Sequence, residues 1–354
     1  MSLKMSFIFA LLGAIGSATA TPTANFFDLK PNCENLGARY CDYSPQHLGT
    51  GNEFANWRER TQFMYANMAR TDFAKFAQAP YNAQYQCSTK SGLVPFYWSS
   101  GLTQASRFHS HEMGKLNVFS HSTDSRNAYL FGGSIQFSDR IQKFMTSQWS
   151  GIGENIAAGH SSPLKVTLQW LASSGHCSAI FGNNMFMGVG YAFDSSSRYG
   201  HYWTENFWSE FNVGLPQQDI VVGTHDTTTG TNRFLVQVHM SQAPSQVSVV
   251  VGGTSKAMSL LLGTARSGTY FVDIDTLSGA EGDGCVPYYF EVNSGASRMP
   301  ADQSFHFLTY EVNKCNRNIG TTMGTSVAPT TTTAGIATRT YPRAQELEHT
   351  HRCL

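Results

Sequence analysis

Two hydrophobic periodicities follow one another along this chain, and their order limits what it can fold into. From Phe54 to Phe76 apolar residues recur at helical spacing, Trp57, Met64, Met68 and Phe76 among them, until Pro80 ends the pattern. A second helical run spans Ser100 to Lys115, with Leu102, Ala105, Phe108 and Met113 on one side. A third begins with Ser162 as cap and Pro163 in the first turn and is expected to end at Gly175. After it the period becomes two: Met187–Phe193 and Tyr202–Phe207 alternate around a Ser-Ser-Ser turn, the pattern of a β-hairpin. Helices followed by paired strands predict an α+β domain over residues 53–212. Beyond Gly214, short β-rich runs at Phe234–Met240, Gln246–Val251 and Gly268–Ile274 predict a β-sandwich-like domain over 213–316. The Thr-rich stretch of 317–354 has no periodicity and reads as a disordered tail.

The N-terminus sets the compartment. Lys4 precedes an apolar run from Met5 to Ile15, and Ala18-Thr19-Ala20 follows, which reads as a signal peptide over residues 1–20 with an extension over 21–52. The run is shorter than the ~20 apolar residues a membrane span needs, and no later segment reads as one, so a secreted, extracellular protein is expected. Lys plus Arg and Asp plus Glu number 24 each. With no net charge and no basic cluster, nucleic acid is not an expected partner. Seven cysteines in an oxidising compartment read as disulfide partners, and none forms a CxxC pair. Proximity pairs Cys33 with Cys41, and a shared domain pairs Cys87 with Cys177 and Cys285 with Cys315, leaving Cys353 over. No Asn-x-Ser/Thr sequon occurs.

Three segments carry candidate chemistry: Phe119-Ser-His-Ser122, Gly153-Glu-Asn-Ile-Ala157, and Ser174-Gly-His-Cys177 after Trp170. His121, Glu154 and His176 would suit a divalent metal, because imidazole nitrogen and carboxylate oxygen match what zinc prefers. The same groups could move protons near neutral pH. Spacing alone does not decide between those roles and plain structural ones, since twelve histidines are present and a Glu before Asn commonly ties down a loop. Ser120 and Ser122 beside His121 do not make a Ser/His/Glu hydrolase, because neighbours in sequence lack the geometry that a strained elbow provides.

The ordered series is more specific. Asn67 with Arg70, Tyr97-Trp-Ser99, Phe119-Ser-His, Gly153-Glu-Asn-Ile-Ala, Trp170 with Ser-Gly-His, and Tyr202-Trp-Thr-Glu-Asn-Phe together resemble the CAP superfamily: cysteine-rich secretory proteins, venom antigens, plant pathogenesis-related proteins and microbial relatives. The resemblance implies a three-layer α-β-α sandwich with a large cleft, in which two His and two Glu converge and in several members bind zinc or another divalent ion. His121 and Glu154 match directly. Where the animal and plant branch has a Glu three residues after the helix Trp, this chain has Ser173, and His176 stands three further on, as in the microbial branch. The strand His of the animal branch falls on Tyr202, with His201 beside it. Strand alternation puts His201, Trp203 and Glu205 on one face and Tyr202 and Thr204 on the other. The expected metal set is therefore His121, Glu154 and His176, with His201, Tyr202 and Glu205 as possible additional cleft residues and one divalent cation, zinc, as the expected cofactor.

The resemblance and the lack of an activated nucleophile favour a non-enzymatic binder of a sterol, lipid or extracellular protein in host interaction or defence. The alternative is a zinc-dependent extracellular hydrolase with Glu154 as base. A third reading gives the binding role to the β-sandwich, though no residue between 215 and 316 points to a ligand.

Overall fold

The computed structural model describes residues 55–78, 80–87, 92–211, 214–216, 218–227, 231–276, 285–299 and 305–308. The expected signal peptide, N-terminal extension and Thr-rich tail, and with them Cys33, Cys41, Cys315 and Cys353, lie outside these residues.

The first helical run is two helices, α1 (Trp57–Thr71) and α2 (Phe73–Phe76). Asp72 leaves helical backbone between them and caps α2 by accepting from the Lys75 amide at 3.3 Å. At its start α1 carries a capping box, in which the Asn56 side chain accepts from the Glu59 amide and Glu59 accepts from the Asn56 amide, each at 3.0 Å. Then come β1 (Tyr97–Trp98), α3 (Ser100–Leu116), a 3-10 turn at Ala128–Phe131, α4 (Phe137–Phe144), β2 (Trp149–Ala158), α5 (Pro163–Leu171), α6 (Ser174–Ile180), β3 (Phe186–Phe193) and β4 (His201–Glu210). The third predicted helix thus stops at Leu171. Ser173 is extended, and a new helix runs through Gly175, His176 and Cys177. Cys177 is bonded to Cys87, the pairing expected from their shared domain.

These elements form three layers. The central sheet runs β1-β3-β4-β2, with β3 and β4 the expected hairpin. Helix α3 lies directly on one face: a Cβ added at Gly188 or Gly190 would stand 2.2 Å from the backbone nitrogen of Thr103 or Arg107. Only glycine allows that approach. Helices α1, α5 and α6 cover the other face. Because β1 pairs only with Phe186 and Met187, Tyr191 of β3 has a strand on its β4 side alone, and its amide donates to Glu59 Oε1 at 3.2 Å. The same buried carboxylate takes a double hydrogen bond from Arg107 on α3, at 2.9 and 2.6 Å, which joins the two helical layers around the sheet edge.

The β-rich region holds two antiparallel sheets. One is β5 (Ile220–Asp226), β6 (Arg233–His239), β10 (Ser267–Asp273) and β9 (Ser259–Thr264), in that spatial order. The other runs β12 (Ser297–Met299), β11 (Cys285–Val292), β7 (Val247–Val251) and β8 (Thr254–Ala257), with β13 (Phe305–Leu308) also on β11. Phe234 of the first sheet meets Tyr288 of the second edge-on at 5.3 Å, and the Phe290 ring fills the space over Gly223.

Helix α1 joins this region to the α-β-α layers. Every residue from Glu59 to Thr71 is buried although the helix is largely polar, because each polar side chain has a partner on one flank or the other. Toward the β-rich region, Arg60 donates to the Tyr288 hydroxyl at 3.1 Å, Thr61 meets Thr224 at 2.7 Å, and the Tyr65 hydroxyl donates to Asp226. One continuous hydrophobic core runs through both parts.

Candidate functional site

Edge strand β2 is the axis of the site. Successive strand residues point to opposite faces, so Glu154 faces α3 and its neighbour Asn155 faces α1 and α5. The loop 117–136 and helix α4 wrap over the first face and bring His121 and Arg140 to Glu154. His121 Nδ1 lies 3.0 Å from Glu154 Oε1, and the Arg140 guanidinium grips Oε2 while also donating to the His121 carbonyl at 3.2 Å. Asn206, on the adjoining strand, orients its amide to donate to Oε2 at 3.0 Å and to accept from Ser106. His109 of α3 stands 3.9 Å from Oε1, its two ring nitrogens engaged by Glu112 at 2.9 Å and by the Ser120 carbonyl at 2.8 Å.

The electrostatics follow from this packing. The Glu154 side chain is 1% exposed, and burial by itself would raise its pKa. Arg140, then His109 and His121, outweigh that effect and bring it down to about 2. The carboxylate is thus anionic at every physiological pH and is a weak proton acceptor. His121 faces outward, with its side chain 45% exposed. His176 approaches from α6, half-buried, and burial first, then the nearby His121, push its pKa down to about 4. Its imidazole is neutral at pH 7.

The other three candidates lie elsewhere. Tyr202 shares the α3 face with Glu154 but sits opposite Ala158, four residues up the strand, where it packs on Met113 and Ile156. His201 is on the far face, its Nδ1 2.7 Å from the Tyr191 hydroxyl and its pKa pushed down to about 4 by burial, Arg58 and His160. Glu205 also faces away, accepting from Gln62 and, at 2.9 Å, from Asn155. Burial raises its pKa to about 8 against those hydrogen bonds, so it is mostly protonated at pH 7. The expected alternation of faces along β4 is observed: it turns His201 and Glu205 away from Glu154 and leaves Tyr202 on the same face as Glu154.

The residue series that pointed to this architecture has an independent counterpart. Residues 44–207 match the cysteine-rich secretory protein family, CAP. This stretch, somewhat less than half of the chain, is a CAP domain. An uncharacterised protein of Bacillus subtilis (strain 168), YkwD, is 32% identical over 127 residues, which are 36% of this chain and 43% of that protein, so the chain spans less than half of the relative. Two solved structures are similar at a TM-score of 0.31: an extracellular protein containing a SCP domain from Bacillus anthracis str. Ames and an outer surface protein from Borrelia burgdorferi. The first is 23% identical over 43% of this chain and 40% of its own, and the second 14% identical over 45% and 98%.

Sequence reading did not single out Arg140, His109, Glu112 or Asn206 in this CAP domain. Only Arg140 had a legible signal: Phe137, Ile141 and Phe144 repeat at helical spacing, with Asp139 in the first turn. His109 and Glu112 lie on the predicted second helix, but nothing in their spacing distinguishes them from structural polar residues.

A zinc ion fits this arrangement poorly. One oxygen of Glu154 is taken by His121 and the other by a guanidinium whose charge repels any cation placed there. The carboxylate is left orienting the His121 ring rather than binding metal itself, and Glu205 faces the opposite side as a neutral acid. Two imidazoles remain where a catalytic zinc site has three protein ligands. Among the described residues no group of three or more His, Cys, Asp or Glu side chains is placed to hold a metal ion. Purified protein dialysed against metal-free buffer is therefore expected to carry zinc well below one ion per chain by elemental analysis. One tightly held zinc per chain would show that a third ligand completes the site.

Proposed function

We propose that the CAP domain of this chain is a secreted, non-enzymatic binding module that takes a small apolar ligand, such as a sterol or other lipid with a polar end, at the His121 mouth. The observation that carries this reading is the state of Glu154: buried, anionic and locked to Arg140, it holds His121 in place instead of serving as a base or a metal ligand. Apolar surface is at hand in the same loop. Phe119 is 44% exposed and meets the 38% exposed ring of Tyr199 edge-on at 5.8 Å, and Tyr199 in turn rests on Tyr202. Large exposed aromatics beside a few oriented polar groups are the usual make-up of a ligand mouth. A surface hollow of about 350 Å³ lies elsewhere, between Asn82, Gln84, His160, Leu168 and Ala172, and His121 does not line it. Secretion is supported by the signal-like N-terminus and by the Cys87–Cys177 disulfide.

The test is direct binding of the purified protein to a panel of sterols and fatty acids, with Phe119→Ala and His121→Ala beside the wild type. Each substitution is expected to weaken binding about tenfold, which corresponds to ~1.4 kcal/mol. No binding to any member of the panel, or binding that both variants leave untouched, would remove the reading.

A further inference from the structure

Adjacent residues Glu154 and Asn155 point to opposite faces of β2, yet both lead to a histidine of the mouth. Glu154 holds the ring of His121. The Asn155 amide nitrogen donates to the His176 carbonyl at 3.2 Å and to Glu205 Oε2 at 2.9 Å. The other oxygen of Glu205 accepts from Gln62, whose amide also reaches Thr167 at 3.5 Å. All four of these polar side chains are buried. They form a chain from α5 through α1 and β4 to β2, and its end is the backbone of α6 at His176. The next residue, Cys177, is tied to Cys87. His176 therefore sits on a short helix fixed at two neighbouring points. Among the described residues the His176 ring itself takes part in no hydrogen bond, so its place is set through its backbone.

We infer that Asn155, itself fixed by Glu205, is the positioning residue for His176, so that the dipeptide Glu154-Asn155 sets both histidines of the mouth, one from each face of the sheet. The amide nitrogens of Asn155 and Gln62 both find acceptors in this buried chain, while the Gln62 Oε1 has no hydrogen-bond partner among the described residues. Glu205 consequently acts through Asn155 and not by facing the ligand. The inference rests on the proposed reading insofar as His176 belongs to the ligand mouth, but its test needs no ligand.

The test compares imidazole carbon–proton NMR spectra of the ligand-free full-length protein and its Asn155→Leu variant, which keeps the volume and removes both donated bonds. The His176 ring signals are expected to move to the positions of an exposed histidine, with those of His121 unchanged and cooperative unfolding retained. If both rings keep their wild-type signals in a folded variant, Asn155 does not position His176 and the inference fails. If both rings shift together, Asn155 serves the fold in general, and the inference fails in that way too. Should Asn155→Leu not fold, Glu205→Met frees one side of the Asn155 amide and is expected to shift His176 in the same direction by a smaller amount. A protein that binds no lipid but shows the His176 shift would refute the proposed function and leave the positioning role standing.

Discussion

Removal of residues 214–354 is expected to leave a CAP domain that no longer unfolds cooperatively at the temperature of the full chain. In α1 every residue from Glu59 to Thr71 is buried, and the flank of Arg60, Thr61 and Tyr65 is covered by β5 and β11. Truncation removes these three hydrogen bonds and the one that the Gly263 amide donates to Asp72, of about 1 kcal/mol each. It also uncovers aromatic surface whose burial contributes about 1.5–3 kcal/mol per large side chain. The sum exceeds about 3 kcal/mol, a large share of the 5–15 kcal/mol that stabilises an ordinary domain. Thermal unfolding followed by circular dichroism on the full chain and the truncated one reads this, with lower Tm and aggregation of the shorter chain as the expected result. Equal Tm values would mean that the α1 flank is stable bare and that the two regions are independent.

That dependence was not visible in the sequence, and the reason is physical. Periodicity reports whether a residue is apolar, and beside its apolar residues α1 buries polar ones with partners far along the chain, such as Glu59 with Arg107, Gln62 with Glu205 and Arg60 with Tyr288. Each pair is decided by tertiary structure. Where burial is carried by apolar residues on one face, the reading succeeded: α3 begins at the predicted Ser100, and β3 and β4 enclose the predicted hairpin. It failed at Ser173, where a break of two residues separates α5 from α6 without a Gly or Pro to mark it.

The site divides in the same manner. His121 and Glu154 were legible because the ordered series of motifs named them, and alternation along β4 correctly split His201 and Glu205 from Tyr202. What alternation could not say is which face holds the cleft. That depends on Arg140, whose place over Glu154 is set by the fold of the loop between α3 and β2. Without that arginine the His and Glu pattern reads as a metal site. With it, the carboxylate already has its counter-charge.

Arg140→Met tests this last point and is expected to have the largest effect of any single substitution at the site. The methionine fills much the same space but leaves the Glu154 carboxylate buried without a guanidinium, and breaking a buried pair in this way costs about 3–5 kcal/mol. The pKa shift gives a consistent figure: lowering Glu154 from 4.5 to about 2 contributes on the order of 3 kcal/mol at neutral pH. The sign of the pH dependence separates this mechanism from loose packing. In the wild type the folded pKa lies below the unfolded one, so the contribution is present above about pH 4.5 and fades as pH falls toward 2. In Arg140→Met the term that remains dominant is burial, which raises the pKa of Glu154, so the folded state takes up a proton and the variant recovers stability as pH falls from 7 to 5. Denaturant unfolding at pH 7 and at pH 5 should therefore show a gap between wild type and variant that narrows at the lower pH. A gap of the same size at both would mean that Arg140 acts by filling space, and that the charge of Glu154 is held by other groups.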